Sequence, residues 1–160
     1  MTNGRTESGR TTASDVLDED RPYRSISASL EVNPEPAEVG RCRRWTAGVL
    51  AGWDLAGTAE AATVLVSELV TNAINATMAG GCAGRRSGPH GVAVHLNVDD
   101  DTLRISVCDV CLSTWPEPRR PVARDEGGRG LQVVAALCEQ WGCFETDRVK
   151  VVWCELPAIR

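Results

Sequence analysis

No stretch of the 160-residue chain approaches the ~18 consecutive apolar residues that a membrane-crossing helix needs, which excludes a helical span. The opening segment, MTNGRTESGRTTASDVLDED, lacks the apolar core of a secretory leader, so a cytoplasmic protein is expected. Basic residues are also short: 17 Lys and Arg stand against 22 Asp and Glu, a formal net charge of -5. That balance does not supply the broad positive face that nucleic-acid backbones or anionic membranes require, so neither is expected as a direct partner. Histidine occurs only as His90 and His95, not at ligand spacing. Cys108 and Cys111 form one C-x-x-C with no second pair to complete a zinc site. The seven cysteines are odd in number, and several lie inside apolar runs such as ISVCDV and VVWCEL. They read as small buried thiols of a reducing compartment rather than as a metal or redox centre.

What is present is ordinary for one globular domain: 42% hydrophobic and 24% charged residues in a length that can bury a single core. Residues 1–24 are rich in Thr, Ser, Gly and acids and too poor in apolar side chains to join that core, so a disordered tail is expected there, with the domain at 25–160. SISASLEV alternates as a first strand. NPEP then breaks it and supplies a proline near the start of a helix expected over 36–50. GWDLAGTAE reads as a loop, and a second helix is expected from Thr58 to about Met78. After the glycine-rich AGGCAGRRSGPHG, two alternating strands flank the acidic turn DDD.

From Asp109 to Gly128 three prolines and mixed charge without periodicity predict a long loop of the kind that serves as a lid. GRGLQVVAALCEQW predicts a third helix with Leu131, Val134, Ala135 and Cys138 on one face, and CFET with VKVVWCELP a closing hairpin. Trp53, Trp141 and Trp153 are expected in the core, and Trp115, in the lid, at a contact surface. The order of elements predicts an α/β (α+β) two-layer sandwich, a mostly antiparallel sheet with its helices on one face.

The second helix carries an unusual polar line. No Lys or Arg occurs from Ala59 to Ala79, and Glu68, Asn72 and Asn75 fall on one stripe at spacings of four and three. A solvated face normally mixes long charges of both signs. A carboxylate and amide oxygens one turn apart suit a hydrated hard cation shared with phosphates, and they equally suit a hydrogen-bonded face packed beside a loop. The helix alone leaves both open. Asp109, where a strand ends and the long loop begins, is placed to accept from a ligand's donor group, although such an Asp is usually a turn residue. GGRGL at 127–131 sets backbone amides before a helix N-terminus, where phosphate is favoured.

In that order, ELVTNA on a helix, Asp after a strand and GRGL before a helix resemble the GHKL (histidine-kinase-like) ATPase superfamily, most closely its anti-sigma-factor serine/threonine kinases. The likeness spans roughly residues 26–157 and implies a Bergerat-type ATP-binding fold over 25–160. It implies that Glu68 is the general base and that Asn72 holds Mg2+ on ATP, with Asn75 beside it. Asp109 would read the adenine amino group. Gly128, Arg129, Gly130 and Leu131 would form the phosphate-binding segment, under the lid between Asp109 and Gly128. The implied function is phosphorylation of an anti-anti-sigma protein, with a sigma factor as a further partner and a homodimer as a common state of relatives. The chain departs from the family at DVCLSTWP, where glycine or Ser-Pro often follows the aspartate, and at Asn75–Ala76, where many members carry histidine. The altered stretch after Asp109 motivates the alternative of a docking protein that sequesters a regulator and uses ATP weakly or only structurally.

Overall fold

The computed structural model describes residues 25–79, 91–109, 130–146 and 149–160. The expected tail (1–24), residues 80–90 of the glycine-rich connection, the lid, Trp115 and Cys111 lie outside them. Strand β1 (Ser25–Val32) is followed by helices α1 (Glu38–Gly52) and α2 (Ala56–Ala79), then by β2 (Val92–Asp99) and β3 (Thr102–Asp109). Helix α3 (Gly130–Leu137), β4 (Gln140–Glu145) and β5 (Lys150–Pro157) complete the order. The five strands form one sheet in the order β1-β2-β3-β5-β4, with every neighbouring pair antiparallel. The two-layer α+β sandwich expected from the sequence is the fold observed.

Alternation sets the two faces. Leu103, Ile105, Val107 and Asp109 of β3 point inward and are buried, as are Val92, Val94, Leu96 and Val98 of β2. Helix α2 lies over them, burying Ala62, Leu65, Val66, Leu69, Val70, Ala73, Ile74 and Thr77, the i, i+3, i+4, i+7 spacing of one helical stripe. Helix α1 packs against α2 through Cys42, Thr46 and Leu50. It ends in a reversal in which Asp54 takes φ 60°, Leu55 N–H donates to Leu50 O at 2.9 Å and Asp54 N–H to Ala51 O at 3.2 Å. This is the Schellman pattern, sealed by the buried pair Leu50 and Leu55.

That reversal is tight enough for α2 to begin at Ala56, so the second half of the expected GWDLAGTAE loop is already helical. Thr58 is consequently not a cap. Its hydroxyl lies 2.9 Å from Pro157 O and accepts from Ile159 N–H at 2.6 Å, fastening the end of β5 to the first turn of α2. A side chain on Gly57 would meet Ile159 Cγ2 at 2.6 Å, so that close approach requires glycine.

Three other expectations are corrected. Helix α3 stops at Leu137 rather than running to Trp141, because Glu139 N–H is taken by Glu155 O at 2.8 Å and Gln140 already pairs with β5. Leu131 and Val134 of α3 are buried, but Ala135 is exposed. Trp53 and Trp141 pack against the core, whereas Trp153 lies on the opposite face of the sheet from the helices. There the Arg104 guanidinium sits 4.2 Å from its ring centroid and bonds Glu155 at 2.8 Å, while Gly142 lies against the indole.

Candidate functional site

The polar line is placed by the helix's own packing. With Leu65, Val66, Leu69, Val70, Ala73 and Ile74 committed to the core, Glu68 and Asn72 fall at the margin of the buried stripe and are half-buried. The neighbouring hydroxyls are used within the helix: Ser67 donates to Thr63 O and Thr71 to Ser67 O, each at 2.7 Å. Thr71 is thereby separated in role from the carboxylate and amide beside it. Asn75, about 10 Å further along the axis than Glu68 at 1.5 Å per residue, is exposed.

The first residue of α3 closes onto this margin. A Cβ built on Gly130 would lie 2.6 Å from Glu68 Oε2, 3.5 Å from Asn72 Nδ2 and 3.6 Å from Asn72 Oδ1. The peptide backbone of Gly130 therefore rests where any side chain would displace the carboxylate. Three groups read separately from the sequence, Glu68, Asn72 and the glycine at the head of α3, are brought together by α2–α3 packing. Leu131, the next residue, turns its side chain into the interior at 7% exposure, leaving its backbone at the head of the helix. Gly128 and Arg129 lie outside the described residues.

Asp109 occupies the last position of β3, on the inner face towards the helical layer, and is buried. Its Cα partner across the ladder is Lys150, whose Nζ lies 3.3 Å from Asp109 Oδ2. Lys150 escaped the sequence reading. The signal was available: in KVVWCELP the lysine shares its face with Val152, Cys154 and Leu156, and an ammonium on the apolar face of a strand demands a counter-charge.

Of the described cysteines, Cys42 and Cys154 are buried and Cys108, Cys138 and Cys143 half-buried. Burial is the first cause that pushes Cys42 up to about 11 and Cys154 up to about 12, reinforced by Glu38 at the former and by Cys138 and Glu155 at the latter. Cys108, Cys138 and Cys143 are also raised, chiefly by burial. Protonated thiols are poor nucleophiles and ligands. Among the described residues no group of three or more His, Cys, Asp or Glu is placed to hold a metal by itself.

The donor set suits Mg2+ shared with a triphosphate. A half-buried carboxylate and an amide stand beside a glycine backbone at a helix N-terminus, and the space a Cβ would take is bounded by those same groups. No helix of the described residues is long and apolar enough to cross a membrane. Comparison with curated proteins gives no match. The family described as histidine kinase-like ATPase domain matches residues 32–153, a span that begins at the end of β1 and takes in Glu68, Asn72, Asp109, Gly130 and Lys150. Over three quarters of its length, then, with the sandwich and the α2–α3 contact in place, the chain belongs to the histidine kinase-like ATPase domain family.

Proposed function

We propose that the protein is an ATP-dependent serine/threonine kinase of the anti-sigma-factor type, acting on a seryl hydroxyl of an anti-anti-sigma protein. The contact of Gly130 with Glu68 and Asn72 supports this reading, because a glycine backbone at the head of a helix lies against a carboxylate and an amide. Asn72 would hold Mg2+, which supplies charge neutralisation on the phosphates when bound. Gly130, with Gly128 and Arg129, would hold the phosphates, and Asp109 would accept from the 6-amino group of adenine. Glu68 would take the proton of the attacking serine as its oxygen bonds to the γ-phosphorus, the bond to the β–γ bridging oxygen breaks and ADP leaves with that electron pair.

Calorimetric titration of Mg-ATP, with Asn72→Ala and Asp109→Asn alongside, tests the pocket. Both variants are expected to bind more weakly. Glu68→Ala is expected to bind Mg-ATP as the parent does, while transfer to the partner falls by roughly 10²–10⁴-fold. Undiminished transfer in Glu68→Ala would remove the base assignment. The docking alternative draws on the altered DVCLSTWP segment. It takes over if the unmutated protein binds no ATP at millimolar concentration yet retains a regulator or sigma factor.

A further inference from the structure

Glu68 has four neighbours one turn away on α2, and each has a different surrounding. Leu65 is buried in the core. Asn72 shares the head of α3 with the carboxylate, since a Cβ on Gly130 would stand 2.6 Å from Glu68 Oε2 and 3.5 Å from Asn72 Nδ2. Thr71 turns its hydroxyl back to Ser67 O at 2.7 Å. That leaves Val64, which stays 38% exposed while the helix buries Leu65, Val66, Leu69 and Val70 around it. Helical side chains lean towards the N-terminus of their own helix, so the Glu68 carboxylate lies back over the turn that carries Val64, with about 5–6 Å between the two Cβ atoms. The base thus stands between α3 and Asn72 on one side and an exposed apolar side chain on the other. No Lys or Arg occurs on the helix from Ala59 to Ala79 to pair with a charge that approached it there.

Phosphoryl transfer gives those two sides different occupants. The entering seryl oxygen bonds to the γ-phosphorus from the side opposite the breaking bond to the bridging oxygen, with its proton passing to Glu68 and the electron pair leaving on ADP. With Asn72 and Gly130 given to the phosphates, the nucleotide takes the C-terminal side of Glu68 and the acceptor the N-terminal side. We propose that Val64 is a specificity-determining residue for the phosphoacceptor, receiving an apolar side chain close to the target serine. This rests on the kinase reading above. An apolar neighbour of the serine gains by leaving water against Val64, whereas a charged one would lose hydration with no cation of α2 to replace it.

The test is transfer from Mg-ATP to three serine peptides of equal length, the serine flanked on both sides by two leucines, two aspartates or two lysines. The unmutated full chain is expected to favour the leucine peptide roughly tenfold in kcat/KM, with the difference carried by KM. Val64→Lys is expected to shift preference a few-fold towards the aspartate peptide, Val64→Asp towards the lysine peptide, and Val64→Ile to keep the parent's order. Mg-ATP affinity by calorimetry is expected to be the same in all four proteins. A parent with no preference among the peptides overturns the role of Val64 whatever the variants do. So does an order of preference that neither charged variant alters, and so does a parent that binds Mg-ATP yet phosphorylates none of the three, because the contact is local to the serine. A parent that binds no Mg-ATP removes the kinase reading instead, and this inference with it.

Discussion

Gly130 shows what a single hydrogen in place of a methyl can decide. Its absent Cβ would stand 2.6 Å from Glu68 Oε2, closer than real Cβ atoms approach, and the atom in the way is the end of a rotatable side chain. Gly130→Ala is therefore expected to turn the carboxylate aside rather than unfold the chain. Alanine at the start of α3 also favours the helix by roughly 0.5–1 kcal/mol relative to glycine. The expected outcome is a melting temperature at or above that of the parent, with nucleotide binding or transfer reduced at least about tenfold, a loss of about 1.4 kcal/mol. Differential scanning calorimetry and Mg-ATP titration of the same sample separate the two effects. A variant that loses stability and keeps binding would show that the contact serves packing.

Glu68 and Asn72 were legible because helical spacing alone puts them on one line, and Gly130 because it follows an Arg-flanked glycine cluster. The distance between them was not legible, since it depends on how α2 and α3 pack. Lys150 was missed for a related reason: a lysine before a β-run reads as a polar start, and only the register of β3 with β5 reveals Asp109 opposite it.

Among elements, the join between α2 and the end of β5 is the one that depends most on a single polar side chain. Thr58 is 2% exposed, and its hydroxyl serves Pro157 O at 2.9 Å and Ile159 N at 2.6 Å. Thr58→Val keeps the shape and leaves those buried backbone groups without their partner, at a cost of about 1–3 kcal/mol. For a chain of this size the melting temperature is expected to fall by roughly 3–10 °C. The position is remote from Glu68 along α2, so Mg-ATP affinity below the transition should be unchanged, and a thermal melt with one titration checks both. An unchanged melting temperature would show that the Thr58 hydroxyl contributes nothing to the join.

The same scale shows where sequence patterns stop being informative. The strands and the first two helices follow from local periodicity, and they appear within a few residues of their expected bounds. The C-terminal end of α3 does not, because CEQW is compatible with helix until β5 offers Glu155 O to Glu139. Trp153 lies outside the expected core because its strand parity, opposite to Cys154, puts it with Arg104 and Glu155 on the other face of the sheet.

At the scale of the whole molecule, the interior thiols set a limit on alkaline stability. Cys154 is raised from an ordinary 9.0 to about 12 and Cys42 to about 11. The folded state therefore holds the thiol protons more tightly than the unfolded chain does. That contribution is fully present below about pH 9 and is lost as pH rises from there through the folded values. Melting temperature is expected to fall over this window for the parent, and the gap between parent and Cys154→Ala, set near neutral pH by the cavity, is expected to narrow above pH 9. A gap that stays constant to pH 11 would show that Cys154 does not contribute to the pH response.

The sheet order also bears on how the molecule is assembled in time. The α1–α2 pair and the β2–β3 hairpin join near neighbours in sequence, whereas β1 must meet β2 across the chain, Val32 opposite Val92 and Ser25 opposite Asp99. Closing so long a loop adds little to the equilibrium cost, about 0.6 kcal/mol for each doubling of length, but such non-local pairings slow folding. The described residues proposed to meet the nucleotide sit on α2, β3 and α3, none of them on β1. The contact of Gly130 with Glu68 closes a stretch of chain as long as that between Val32 and Val92, so the candidate site and the edge strand β1 are both late arrivals, completed onto a core of α1, α2 and the β2–β3 hairpin that is already in register.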